Sequence, residues 1–173
     1  MLEGKRIIVT GSARGMGEAS LKAYVEAGAN VVGMDVSDEA GESVSNKANN
    51  AGPGKCSYIH VDVSKKSSVE ESFTKAVEIL GGLDVLAHPA AIQRASNASD
   101  VSVEDWDLMF SINVKGTMLT NQIAYKHMKK SGGGSIINFG SISGLRPEPS
   151  ASAYSAAKGC LLYTSDAADE VDG

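Results

Sequence analysis

Short apolar runs rich in β-branched residues recur along this chain with helical stretches between them, and that alternation restricts the fold more than any other feature. Lys5 to Thr10 is the first such run, ended by Gly11; its length and branching read as a buried strand. Asn30 to Asp35, Cys56 to Val61, Leu83 to Ala87 and Ser135 to Phe139 read the same way. Between them, three- and four-residue periodicity predicts helices over Met16 to Ala27, about Glu39 to Asn50, Ser67 to Leu80, and one long helix from about Val103 to Lys130. The first is expected to present Ala19, Ala23 and Ala27 as its narrow apolar face. The long one is expected to bury a stripe of Trp106, Met109, Phe110, Val114, Met118 and Ile123. Strands alternating with helices imply βαβ units with right-handed crossovers, hence an α/β fold: a doubly wound parallel sheet in three α/β/α layers.

Such a sheet binds ligands beyond the carboxyl ends of its strands. The turn there after the first strand is Thr10-Gly11-Ser12-Ala13-Arg14-Gly15-Met16-Gly17, and it leads directly into a helix. Gly11 permits a tight turn, Gly15 lets backbone approach a pyrophosphate, and Gly17 lets the helix pack close to the sheet, while the helix N-terminus offers free N–H donors. Ser12, Arg14 and Met16 fill out the same loop. Asp35 ends the second strand, where a carboxylate accepts hydrogen bonds from both hydroxyls of an adenosine ribose and repels a 2′-phosphate. The reading is a Rossmann-type site for NAD rather than NADP, with Arg14 partly offsetting that repulsion. No Gly-Lys-Ser/Thr follows the glycines, which excludes a Walker-type loop.

Tyr154 and Lys158 stand four residues apart, one turn of a helix, so a phenol and an ammonium share a face. A neighbouring cation favours phenolate, and a tyrosine so placed can exchange the proton that interconverts an alcohol and a ketone. Ser141 lies just past the fifth strand, where its hydroxyl can donate to a carbonyl oxygen as charge develops on it. From Leu2 to about Gly159, TGSARGMG, Asp62-Val63, INVKG, Ser141 and YSAAK stand in an order that resembles the short-chain dehydrogenases/reductases. The resemblance implies that Tyr154 is the general acid or base and that Lys158 lowers its pKa and holds the nicotinamide ribose. It further implies that Ser141 positions the substrate oxygen, that Asn113 supports a relay water, and that Asp62 and Val63 contact the adenine. Read by itself, Asp62 is equally a turn former and Asn113 a helix residue that satisfies backbone groups. A secondary alcohol or ketone substrate and a homodimer or homotetramer built partly on the long helix are implied as well. A non-catalytic NAD-binding redox sensor or scaffold on the same fold is the alternative.

One motif departs from that pattern. Where the family has Asn-Asn-Ala-Gly after the fourth strand, this chain has His88-Pro89-Ala90-Ala91. Ala90 is expected beside the cofactor; Pro89 removes an N–H and Ala91 adds a methyl along the same wall. His88 is read as a structural replacement for the usual Asn, although a histidine there can also serve as an acid or base.

Composition narrows the classes that remain. Net charge is −5 with no cluster of Lys and Arg, so the footprint of a nucleic-acid binder is absent. No stretch reads as a signal peptide or membrane span, which makes a cytoplasmic location the expectation. Cys56 and Cys160 form no disulfide framework, and His60 and His127 no metal site. Residues 1–159 are expected to form one NAD-binding domain, incomplete at its C-terminus. After Gly159 the family's apolar helix gives way to CLLYTSDAADEVDG, which is similar to a translated transposon-end adapter used in DNA sequencing. Residues 160–173 are therefore expected to be a non-native tail.

Overall fold

Each apolar run becomes a strand within two residues of its expected bounds: β1 Arg6–Thr10, β2 Asn30–Asp35, β3 Lys55–His60, β4 Val85–His88 and β5 Ser135–Asn138. The computed structural model describes residues 1–164. Its strands form one parallel sheet in the order β3-β2-β1-β4-β5. The helices are α1 Gly15–Glu26, α2 Asp38–Ala51, α3 Lys66–Leu80, α4 Val103–Phe110, α5 Thr117–Lys130 and α6 Ser152–Thr164. The expected three layers follow. Leu21 and Val25 of α1 and Val44 and Ala48 of α2 join one core face of the sheet; Val69 and Phe73 of α3 and Ala124 and Met128 of α5 join the other. No helix of the described residues is long and apolar enough to cross a membrane.

Two expectations about helix faces need correction. Helix α1 buries Gly17, Leu21 and Val25, while Ala19 and Ala23 face solvent. Both faces repeat every four residues, and the bulkier one removes more apolar area from water. The expected helix from Val103 to Lys130 is interrupted by a π-helical turn over Ser111–Gly116. The extra residue in that turn rotates α5 relative to α4. Met109, Asn113, Thr117, Thr120, Ala124 and Met128 face inward, whereas Trp106 and Met118 from the expected buried stripe are exposed.

At the far side of the sheet, β5 pairs only with β4 among the described residues, and Ile137 is 41% exposed. The expected boundary at Gly159 falls inside α6, and residues 165–173 of the expected tail lie outside the described residues.

The amino ends of the two central strands are clamped by charge. Arg6 Nε and a terminal nitrogen donate to both oxygens of Asp84 at 3.0 and 2.6 Å, and the Arg6 backbone N–H adds a third bond at 2.9 Å. The guanidinium holds the Asp84 carboxyl down at about 2. A depressed carboxylate pKa stabilises the fold above the unfolded value and loses that contribution as pH falls through the folded one. Urea unfolding is expected to show a loss of about 2 kcal/mol between about pH 4 and pH 2 that Asp84→Asn abolishes.

Candidate active site

Strand order reverses between β1 and β4, so the loops after these strands diverge and leave a cleft at their carboxyl edge. The cavity there measures about 350 Å³. Gly11, Arg14, Gly15, Met16 and Gly17 line it from the β1 side, Asp35 from β2, Asp62 and Val63 from the end of β3, and Ala90 from beyond β4. All nine are expected cofactor contacts. Val36, Ser37, Val61, Pro89, Ala91, Ile92 and Ile112 also line it. Pro89 and Ala91 belong to the motif that departs from the family pattern; the other five carry no distinctive chemistry, so only their position around the cleft marks them.

Steric limits explain the glycines. Gly11 has φ +60°, and a Cβ on it would lie 2.7 Å from the Ala90 Cα. A Cβ on Gly17 would lie 2.0 Å from the Gly11 carbonyl oxygen, so this residue lets the helix fold against its own loop rather than against the sheet as expected. Gly15 has φ +57°, and a Cβ there would meet nothing within 4 Å among the described residues; its backbone borders the cleft. Arg14, at the N-cap of α1, makes no side-chain capping bond among the described residues, which leaves the helix's first N–H donors to an anion.

Ser12 departs from expectation. Its side chain is fully buried and turned toward Gly33 of β2, away from the cleft.

The acidic residues do two jobs. Asp35 accepts from the Ala13 N–H at 3.0 Å and the Ser37 N–H at 3.1 Å, which ties the end of β2 to the glycine loop. Lone pairs remain on both oxygens for a diol. Asp62 is a turn former: Oδ1 accepts from the Ser64 N–H and hydroxyl at 3.0 and 2.6 Å, and Oδ2 pairs with Lys65 at 3.1 Å. Burial opposes its charge, but Ser64 and Lys65 prevail and hold its pKa below the usual carboxylate value.

The catalytic candidates assemble around α6. Lys158 is buried, and its Nζ donates to the Phe139 carbonyl at 2.6 Å while lying 5.8 Å from the centre of the Tyr154 ring. Burial pulls the Lys158 pKa below its ordinary value. Two residues past Phe139, Ser141 opens a short 3-10 turn over Ile142–Gly144, and its hydroxyl accepts from the Ser143 N–H at 3.2 Å. That turn packs on α6, where a Cβ on Gly144 would sit 2.8 Å from the Lys158 carbonyl carbon. Tyr154 is half-buried, and its hydroxyl has no hydrogen-bond partner among the described residues. Asn113 lies within the π-helical turn, accepts from the Ile92 N–H at 2.9 Å and donates to the Ile92 carbonyl at 2.8 Å. Its amide therefore pins the cleft wall, and π-helical turns recur at functional sites.

His88 is 3% exposed, beneath this group. Burial, then the charge of Lys158, push its pKa down to about 3. A neutral ring at that depth fits a structural role; nothing there lets it serve as an acid near neutrality.

Residues 5–172 match the family model for short chain dehydrogenases. The chain belongs to this family. Two uncharacterized oxidoreductases of Thermotoga maritima are 37% and 34% identical to this short-chain dehydrogenase, covering 92% and 94% of it and 62% and 63% of their own lengths. A 3-alpha-(or 20-beta)-hydroxysteroid dehydrogenase of Mycobacterium tuberculosis is 36% identical over 91% of the chain and 59% of its own. The chain thus spans about three fifths of the length of these relatives. A crystal structure of a short chain dehydrogenase from Mycobacterium smegmatis matches with TM-score 0.89 at 28% identity, over 93% of this chain and 68% of that one. That of NAD+-bound xylitol dehydrogenase matches with TM-score 0.92 at 23% identity, over 96% and 64%, a likeness that bears on the fold alone.

Gly17→Ala forces its new methyl into the Gly11 carbonyl, an overlap that backbone must relieve. The expected cost is about 3 kcal/mol, read as a fall of several degrees in Tm by circular dichroism, whereas the exposed Ala19→Ser leaves Tm unchanged.

Proposed function

We propose that this short-chain dehydrogenase binds NAD(H) across the β1–β4 cleft and that the whole protein interconverts a secondary alcohol and a ketone, with Tyr154 as general acid/base. The observation that carries this reading is the Lys158 ammonium, fixed to the Phe139 carbonyl beneath the Tyr154 ring and next to the turn headed by Ser141. A phenol with an unengaged hydroxyl, a cation under its ring and a nearby serine form a set suited to moving one proton to or from a substrate oxygen. The dinucleotide, when bound, supplies or takes up the hydride.

The chain's own groups divide the remaining work. The uncapped start of α1 and the Gly11–Gly17 loop receive the pyrophosphate, with Arg14 and Met16 along it and Ala90 opposite. Asp35 accepts from the adenosine ribose, and Asp62 and Val63 border the adenine. Lys158 has further N–H donors for the nicotinamide ribose, and its charge favours the proton's departure from Tyr154. Ser141 donates to the substrate oxygen. Asn113 holds the π-helical turn against Ile92, and the relay water rests on that turn.

Tyr154→Phe removes the proton and leaves the cleft intact. In protein expressed from its whole gene, turnover on a panel of secondary alcohols with NAD is expected to fall roughly 10²–10⁴-fold, with NADH binding by fluorescence unchanged; equal turnover in the variant overturns the role of Tyr154. Asp35→Ser deletes the charged acceptor. NADH affinity is expected to fall roughly tenfold and NADPH affinity to rise, and an unchanged NADH/NADPH ratio overturns the cofactor preference.

A further inference from the structure

Behind the cleft, two polar atoms on neighbouring strands lack partners. His88 ends β4 and Asn138 ends β5, and the two are register partners in the parallel ladder, so their side chains leave the sheet on one face. His88 Nε2 and Asn138 Oδ1 are both buried without a hydrogen-bond partner among the described residues. Buried polar atoms rarely stay unpaired in a stable fold.

The other nitrogen of the ring decides what Nε2 can do. His88 Nδ1 lies 2.7 Å from the Thr10 hydroxyl and 3.2 Å from that of Thr120. Thr120 has helix carbonyls for its proton, Gly116 at 2.9 Å and Thr117 at 3.1 Å. Thr10 is fully buried, and among the described residues Nδ1 is the one acceptor its hydroxyl meets. Its proton therefore points to the Nδ1 lone pair, and the ring's own hydrogen sits on Nε2. A donor then shares a face with an acceptor, and no direct bond joins them.

We propose that His88 and Asn138 together form a site for one buried water, which accepts from the His88 Nε2–H and donates to Asn138 Oδ1, bridging the ends of β4 and β5. A single bridging water satisfies both atoms. His88 leads into Pro89–Ala91 on the cleft wall, and Asn138 leads into Phe139, whose carbonyl anchors Lys158. His88 is thereby a positioning residue for Lys158, a role that rests on the proposed function; the water site itself does not. A neutral ring suits the place, since a protonated one would set a second cation near Lys158.

Long-range ¹H–¹⁵N correlation spectra of the histidine-labelled chain, with His88 assigned by loss of its signals in His88→Asn, test the site. The expected result is a protonated Nε2 and an unprotonated Nδ1, unchanged between about pH 5 and pH 8, with a rotating-frame cross-peak from the Nε2 proton to water. Asn138→Val is expected to remove that cross-peak and speed exchange of the Nε2 proton roughly tenfold, with the tautomer unchanged. A ring protonated on Nδ1, one that titrates within this range, or an Nε2 proton without water contact overturns the proposal. The wild-type spectra decide these points even if Asn138→Val does not fold. A chain that shows the bridge yet fails to bind NADH overturns the cofactor reading and leaves the water site standing.

Discussion

The rest of the structure depends on how closely the turn after β1 approaches the chain emerging from β4. At Gly11 the Ala90 backbone occupies the space a side chain would need. At Gly17 the loop's own carbonyl does the same. Any other residue at either point would push the loop outward, and the start of α1 would lose its place at the sheet edge. The glycines are thus demanded by crowding at Gly11 and Gly17, and by a left-handed backbone facing open cleft at Gly15. Together they turn a strand-to-helix connection into a concave wall lined with N–H donors.

Around the cleft, three polar side chains are held by backbone rather than by each other. Lys158 is tied to the Phe139 carbonyl, Asn113 to both polar groups of Ile92, and Asp35 to the N–H groups of Ala13 and Ser37. Backbone partners at strand ends move little, so each group inherits the rigidity of the sheet. The ammonium of Lys158 gains a charge-assisted bond that offsets part of the cost of burying it. Tyr154 differs in leaving its hydroxyl without a hydrogen-bond partner among the described residues, which suits the proton transfer proposed for it.

Much of the architecture is legible in the sequence. All five strands stand within two residues of their expected places because β-branched runs between glycine and polar breaks leave little choice. Helix faces were harder. In α1 two four-residue repeats compete, and the choice between Ala19-Ala23 and Leu21-Val25 belongs to the sheet they pack on. The π-helical turn at Asn113 leaves no mark in the hydrophobic pattern, since one inserted residue shifts the period by less than the spacing of apolar residues reveals. That shift turned Trp106 and Met118 outward. Ser12 sits in the right loop but faces the wrong way, because every second residue leaving a strand points into the core.

By itself the sequence determined the αβ alternation, the glycine loop with Asp35 at its flank, and the order in which Asn113, Ser141, Tyr154 and Lys158 follow one another. These are properties of neighbouring residues and of spacing along the chain. Only the tertiary structure decided that β4 crosses to the far side of β1, so that Gly11 meets Ala90 and a cleft opens between them. It alone placed the Phe139 carbonyl under Lys158 and set the buried ring of His88 beside Asn138. Contacts between residues 19 or 50 positions apart, as in Lys158–Phe139 and Asn138–His88, depend on how strands are ordered and helices rotated. Those choices are settled by the burial of whole faces, which no local pattern encodes.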